Sequence, residues 1–227
     1  MSLLAKSNFG SKLEEWRIYN KITWRLIPFL LLLYVISFLD RVNIGFAKLQ
    51  MAKDIGLSDV AYGLGAGIFF LGYSLCEIPS NLILQRVGAK FWIARILAVW
   101  GAISTSMMLI HTPMQFCVAR LLLGVAEAGF YPGVILYLTY WYPVRLRSQI
   151  CALFLLGMSI SGLIGSPLSG GIMHTFNGVN GWHGWQWLFL FEGSPAIIFG
   201  LVVFSCPVGL LALWLNGHSI LHGNNSN

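Results

Sequence analysis

Charge is scarce in this chain. Asp, Glu, Lys and Arg make up only 10% of its 227 residues, against about 25% in soluble globular domains. That excludes a soluble domain, a disordered segment and a coiled coil, all of which need far more charged surface. Acid is scarcest, with eight carboxylates against 14 basic residues. Cysteine is sparse too. Cys76, Cys117, Cys151 and Cys206 sit in apolar runs with no CxxC spacing and no nearby His cluster. A disulfide-stapled fold and a zinc site are thereby excluded, and the four read as small buried hydrophobes. No metal or other cofactor is expected. Polar punctuation is absent over long distances, and the first apolar run, from Leu26, exceeds a signal-peptide core, so no cleavable leader is expected. After Arg147 neither Lys nor Arg occurs in the last 80 residues.

What is present is hydrocarbon-compatible. Apolar residues are 57% of the chain and the mean hydropathy is +0.74. Six apolar runs appear, over residues 26–47, 60–84, 91–110, 114–141, 149–173 and 185–215. Each approaches or exceeds the ~20 residues that cross a bilayer as helix, and none alternates as a barrel strand does. The expected class is an all-α membrane protein with six transmembrane helices. Its organisation is an N-terminal cytoplasmic segment over 1–25, a bundle over 26–215 and a short polar tail over 216–227. The net charge of +6 is then a matter of loop placement, and no nucleic-acid partner is implied. Lys6, Lys12, Arg17, Lys21 and Arg25, then Arg86 and Lys90, then Arg145 and Arg147 fall on one side. Lys48 and Lys53 fall on the other, balanced by Asp54 and Asp59. The positive-inside rule puts both termini in the cytoplasm. Trp24, Trp92, Trp141 and Tyr142 on that side, and Trp182, Trp185 and Trp187 opposite, read as interfacial belts.

Small residues repeat on the fifth span. Gly157, Ser161, Gly165 and Ser169 recur every four residues, with Gly162, Ser166 and Gly170 beside them; Gly63 and Gly67 lie on the second span. Such spacing lets helix backbones approach closely. Pro132 and Pro167 fall inside spans and are expected to bend them.

Charge inside a bilayer costs about 2.5–3.5 kcal/mol per residue on insertion scales, so it marks a pathway or a partner. Asp40, Arg41, Arg120 and Glu127 qualify. Asp40 and Arg41 are adjacent on one helix, about 100° apart, so they are not each other's partners. Tyr34, Ser37 and Arg41 share one face, as do Arg120, Gly124, Glu127 and Tyr131. Two buried guanidinium groups at comparable depth suit a carboxylate ligand, which Arg binds bidentately. A carboxyl group at the midplane suits proton exchange. Arg41 also has the option of snorkelling outward, and acids and arginines of a permanent internal salt bridge would read the same way. Two other acids read structurally: Glu77 as an interface acid near Arg86, with Tyr73 one turn earlier able to face a cavity, and Glu192 as an acid favoured near a helix N-terminus.

The motifs SFLDRVNIGFA (Ser37–Ala47), EIPSNLIL (Glu77–Leu84), VGAKFWIA (Val87–Ala94), ARLLLGVAEAGFYPG (Ala119–Gly133), GSPLSGGI (Gly165–Ile172) and GWQWLFLFEGSPA (Gly184–Ala196) together carry a resemblance. The chain resembles the N-terminal six-helix half of the major facilitator superfamily, and within it the anion:cation symporter family of bacterial tartrate and 4-hydroxyphenylacetate permeases. The resemblance implies twelve spans in two halves with a central site opened alternately to each side, in a bacterial inner membrane. It implies proton-coupled uptake of a small organic anion, a tartrate-like sugar acid or an aromatic carboxylate. Carried onto this sequence, Asp40 and Glu127 are the proton-coupling residues, and Arg41 and Arg120 hold substrate charge. Tyr73 and Tyr34 are substrate contacts, and Asn43 belongs to the first motif. Gln85 stands where the superfamily usually carries an Asp. The stretch after Phe204 does not resemble the family's central loop, and a second six-helix half is absent. The alternative expectation is therefore a truncated, transport-inactive half, completed by a second six-helix half or a homodimer. An intramembrane serine protease would need Ser169 to converge with His174 or His183, and no GxSG is present; no enzyme is expected.

Overall fold

The computed structural model describes the backbone of residues 2–205, and every regular element in that range is helical. Among the described residues seven α-helices follow in order: α1 (Ser2–Asp54), α2 (Asp59–Val87), α3 (Ala89–Ser106), α4 (Pro113–Glu127), α5 (Phe130–Trp141), α6 (Val144–Thr175) and α7 (Gly184–Ser205). They make six apolar spans, because α4 and α5 are two segments of one crossing, Pro113–Trp141. The first span runs on to Asp54, longer than the apolar run alone suggests. α1 also continues without interruption into the N-terminal segment. The end of the sixth run beyond Ser205, Cys206 and the polar tail lie outside the described residues.

Local chemistry sets the boundaries. The Ser58 hydroxyl accepts from Ala61 N–H at 3.1 Å and opens α2, and Thr112 does the same for α4 with Pro113 in the first turn. Gly88, at φ 94°, ends α2. Pro167 lies within α6, and Pro28, Pro79 and Pro195 within α1, α2 and α7.

The expected bend at Pro132 takes the form of a break one turn earlier. Pro132 has no N–H, so the carbonyl of Ala128 loses its helical donor. The Ser80 hydroxyl of α2 supplies one at 2.7 Å. Gly129 then turns with φ 86° and packs directly against Ser80, where any Cβ would overlap the serine side chain.

α1 lies along α6 and α7, α2 along α4, and α3 along α7. The small-residue stripe Gly157, Ser161, Gly165 and Ser169 is buried on α1. A Cβ on Gly157 would meet the Tyr34 ring at 2.8 Å, and Ser161 donates to the Val35 carbonyl at 3.1 Å. The second stripe, Gly162, Ser166 and Gly170, faces outward, as do Gly63 and Gly67.

The interfacial reading of the aromatics needs correction at two positions. Trp185 is buried and donates its indole N–H to Asp54 at 2.7 Å. Tyr142 is buried and its hydroxyl bonds Thr23. Each carries one polar atom that finds a partner inside the bundle. Cys76, Cys117 and Cys151 are half-buried free thiols rather than fully buried ones.

Candidate functional site

Of the four intramembrane charges, Arg41, Arg120 and Glu127 gather between α1, α2 and α4, and Asp40 turns aside to α3. Asp40 and Arg41 leave α1 in different directions, as their spacing demands. Asp40 is buried and faces α3, where the Ser104 hydroxyl and the Trp100 indole N–H donate to its two oxygens, the latter at 3.3 Å. Arg41 faces α4. Its Nη2 lies 3.0 Å from Glu127 Oε1, and its Nε reaches the two carboxylate oxygens at 3.1 and 3.2 Å. Glu127 is 1% exposed, whereas the Arg41 side chain is 26% exposed. The ion pair is therefore half-open: the acid is sealed and the guanidinium is accessible. Ser37, one turn before Arg41, donates to Glu127 Oε1 at 2.5 Å.

Arg120 is brought to the same place but is not accessible. It is buried, its guanidinium carbon lies 4.3 Å from the centroid of the Phe69 ring, and its Nε has no hydrogen-bond partner. The Arg41 guanidinium lies 5.5 Å from that same ring and 5.0 Å from the Tyr73 ring. One ring, Phe69, thus lies within cation–π reach of both guanidinium groups. Its closeness depends on Gly124, which sits against the α2 backbone at Phe69 with no room for a Cβ.

The remaining candidates take different positions. Tyr73 is half-buried beside Arg41. Tyr34 stacks in an aromatic cluster with Phe154, ring centroids 4.5 Å apart, and with Tyr131 at 5.9 Å. Asn43 is fully buried; its Oδ1 accepts from Ser169 of α6 and its Nδ2 has no partner. In this conformation Asn43 ties α1 to α6. The Ser169 hydroxyl also lies 2.6 Å from the Gly165 carbonyl, so the single proton of the serine a hydrolase reading needed is already directed at acceptors within the bundle. His183 instead lies 3.4 Å from Asp54 in the loop region.

Two structural readings of acids change. Glu77 makes no ion pair with Arg86 among the described residues. Nine residues along a helix is about two and a half turns, which sets the two side chains on opposite faces. Glu192 is not in the first turn of its helix: α7 begins at Gly184, more than two turns earlier, so a helix N-terminus does not account for it. Sequence reasoning missed Ser104, Trp100 and Phe69. None is charged, and nothing in their spacing distinguishes them from packing residues.

Comparison with known proteins follows this geometry. The sequence family described as the Major Facilitator Superfamily matches residues 30–216. A protein of Pseudomonas putida named for metabolite transport, NicT, is 57% identical over 82% of this chain and 43% of its own length. A protein of Agrobacterium vitis named for tartrate transport is 53% identical over 83% of this chain and 42% of its own. The inner membrane transport protein RhmT of Escherichia coli is 46% identical over 82% and 43%. The chain thus spans less than half the length of the curated relatives it matches. In fold, it is similar to a crystal structure of a bacterial homologue of the human lysosomal transporter Spinster in an inward-facing, occupied conformation. That match has a TM-score of 0.70 at 24% identity, covering 79% of this chain and 43% of that one.

Proposed function

The chain belongs to the major facilitator superfamily, and on that premise we propose that it forms the N-terminal half of a proton-coupled importer of small organic anions. The observation that carries the reading is the half-open ion pair of Arg41 and Glu127. A guanidinium reachable from outside, held by a sealed carboxylate, is a binding site occupied by its own protein. A proton on Glu127 removes the competing charge and frees Arg41 for the carboxylate of a ligand. An anion arriving at Arg41 likewise displaces Glu127, which must then take a proton, since an unpaired carboxylate in an apolar interior is costly. Proton and anion therefore bind together, which is the requirement for symport. Asp40, held by Ser104 and Trp100, is the second coupling acid. Tyr73 and Tyr34 bound the site, Arg120 supplies fixed positive potential behind Phe69, and Asn43 joins when α1 and α6 part.

The relative named for tartrate supports a hydroxylated carboxylic acid as ligand, and the aromatic carboxylates share its charge. RhmT, named as an inner membrane protein, supports a bacterial inner-membrane location. The distribution of Lys and Arg supports cytoplasmic termini. A second reading, favoured by the 43% coverage of the relatives, is that these residues do not transport unless joined by a second six-helix half or a second copy.

The test is uptake of labelled tartrate into proteoliposomes under an imposed pH gradient. Glu127→Gln is expected to abolish accumulation while counterflow exchange persists; accumulation surviving in that variant refutes the coupling role. Wild-type chain that binds tartrate but does not accumulate it selects the second reading.

A further inference from the structure

Glu192 carries a buried carboxyl group without a hydrogen-bond donor. The residue is 6% exposed, and neither carboxyl oxygen has a hydrogen-bond partner. The Thr105 hydroxyl of α3, which lies against Gly193, has no partner either, so it does not serve Glu192. Buried polar groups are almost always paired, and an orphan calls for an explanation.

Glu192 forms part of the wall of a cavity of about 470 Å³ between α1, α6 and α7. The rest of the wall is apolar, with Ile36 and Leu39 on α1 and Leu168 on α6. A volume of this order takes a drug-sized molecule. Leu168 and Phe191 are exposed, so the cavity is reachable from the flank of the bundle. Two of its lining side chains are aromatic. Phe176, at the C-cap of α6, and Phe191 of α7 meet with ring centroids 5.0 Å apart. Trp187 packs on both, at 5.5 and 5.6 Å, and restrains them. Glu192 follows Phe191 directly, so the carboxyl group and the ring pair share one side of the cavity.

These features select one class of ligand. Apolar walls accept a hydrocarbon body. A buried carboxylate without a donor is costly, and an ammonium answers it with opposite charge and N–H donors in one group. Aromatic faces attract the same cation. An anion is repelled, and a purely apolar molecule leaves the carboxyl group unserved.

We propose that this cavity binds a lipophilic amine, its apolar body against Ile36, Leu39 and Leu168 and its ammonium on Glu192 beside the Phe176 and Phe191 rings. On binding, the Glu192 side chain turns from its sealed position in the wall onto the ammonium, a rotamer change of the kind common at interfaces. No covalent bond forms or breaks. The Arg41–Glu127 pair lies toward α4 instead and suits the opposite charge, so this site stands whether or not Arg41 binds an anion.

The test is equilibrium binding of tritiated amantadine, a rigid hydrocarbon cage bearing one amine, to the purified chain in phosphatidylcholine nanodiscs, with protein-free nanodiscs as background. Saturable binding above that background is expected. 1-Adamantanol, the same cage with a hydroxyl, is expected to compete at least tenfold more weakly. Glu192→Gln should lower amantadine affinity about tenfold or more, because a hydrogen bond between charged groups is lost. Glu77→Gln removes an acid that does not line the cavity and should leave affinity unchanged. No saturable binding, equal competition by the alcohol, unchanged affinity in Glu192→Gln, or an equal loss in Glu77→Gln overturns the site. The comparison of amine with alcohol needs no substitution. Should Glu192→Gln fail to fold, Leu168→Trp fills the cavity from an exposed position; it is expected to abolish binding, and undiminished binding there also overturns the site.

Discussion

Glu127→Gln is the sharpest probe of how the bundle holds its charges. Removing one partner of a buried ion pair typically costs about 3–5 kcal/mol, mostly because the other charge is left unpaired. Two features of this site lower that figure. The Arg41 side chain is 26% exposed, so water recovers part of its solvation. The glutamine carbonyl also keeps its acceptor for Ser37. Arg41 further retains the faces of Tyr73 and Phe69 at 5.0 and 5.5 Å, each worth ~0.5–1 kcal/mol. A destabilisation of about 2–3 kcal/mol remains. For a chain of this size that is a fall in Tm of roughly 5–10 °C, read by the loss of far-UV helical signal or by thermal unfolding in detergent. The double variant Arg41→Gln/Glu127→Gln removes both charges and should recover ~1–2 kcal/mol relative to the sum of the single losses. If Glu127→Gln melts with the wild type, or if the double variant shows simple additivity, the pair does not hold α1 to α4 and the reasoning fails.

Gly193→Ala places a methyl 2.6 Å from the Thr105 nitrogen and 2.8 Å from the Gly101 carbonyl; an overpacking loss of ~1–3 kcal/mol is expected in denaturant titration. Gly162→Ala, with nothing within 4 Å of its new Cβ, should instead be neutral or stabilising by up to ~1 kcal/mol, and an equal loss in both would refute the assigned faces of α6 and α7. Ser80→Ala strips the Ala128 carbonyl of its donor and the Trp92 indole of its acceptor, a loss of about 1–3 kcal/mol for each orphaned group, with a red shift of tryptophan emission as the check. Arg41→Lys keeps the charge but loses the planar fork, so tartrate affinity measured by calorimetry should fall about tenfold or more; unchanged affinity removes Arg41 from the ligand site.

The bundle itself was legible because hydrocarbon leaves the chain few options. Runs such as residues 149–173 carry no charge at all, and only a helix satisfies their backbone there. The stripe from Gly157 to Ser169 named the face that meets α1, since small residues are what close approach requires. Asp40, Arg41, Arg120 and Glu127 announced themselves by their cost in a membrane. The pairing among them was not legible. Helical spacing places Arg41 and Arg120 on faces of separate helices, but only tertiary contact reveals that both reach the Phe69 ring, that Arg120 is sealed, and that Glu127 occupies Arg41. The break after Glu127 was half-legible. Pro132 promised a disturbance, yet its location one turn earlier depends on Ser80, 48 positions away on another helix. Glu192 was misread because a position eight residues past the helix start at Gly184 is already more than two turns in, beyond the first turn to which a terminal dipole effect is confined.

The interruption at Ala128–Gly129 has an electrostatic corollary. Glu127 is the final residue of α4, so the negative pole of that helix's macrodipole lies beside it. An anion is misplaced there and a cation well placed, by ~0.3–1 kcal/mol at a wet surface and more in a low dielectric. Arg41 therefore answers to two negative partners, a side chain whose charge a proton would cancel and a backbone terminus whose dipole it would not. When Glu127 is neutralised or drawn aside, the peptide dipoles of α4 still hold the guanidinium at its post. On the proposed reading of Arg41 as the anion-binding group, the guanidinium is already oriented, and the ordering cost that a long flexible side chain would otherwise impose on binding is met in advance by the fold.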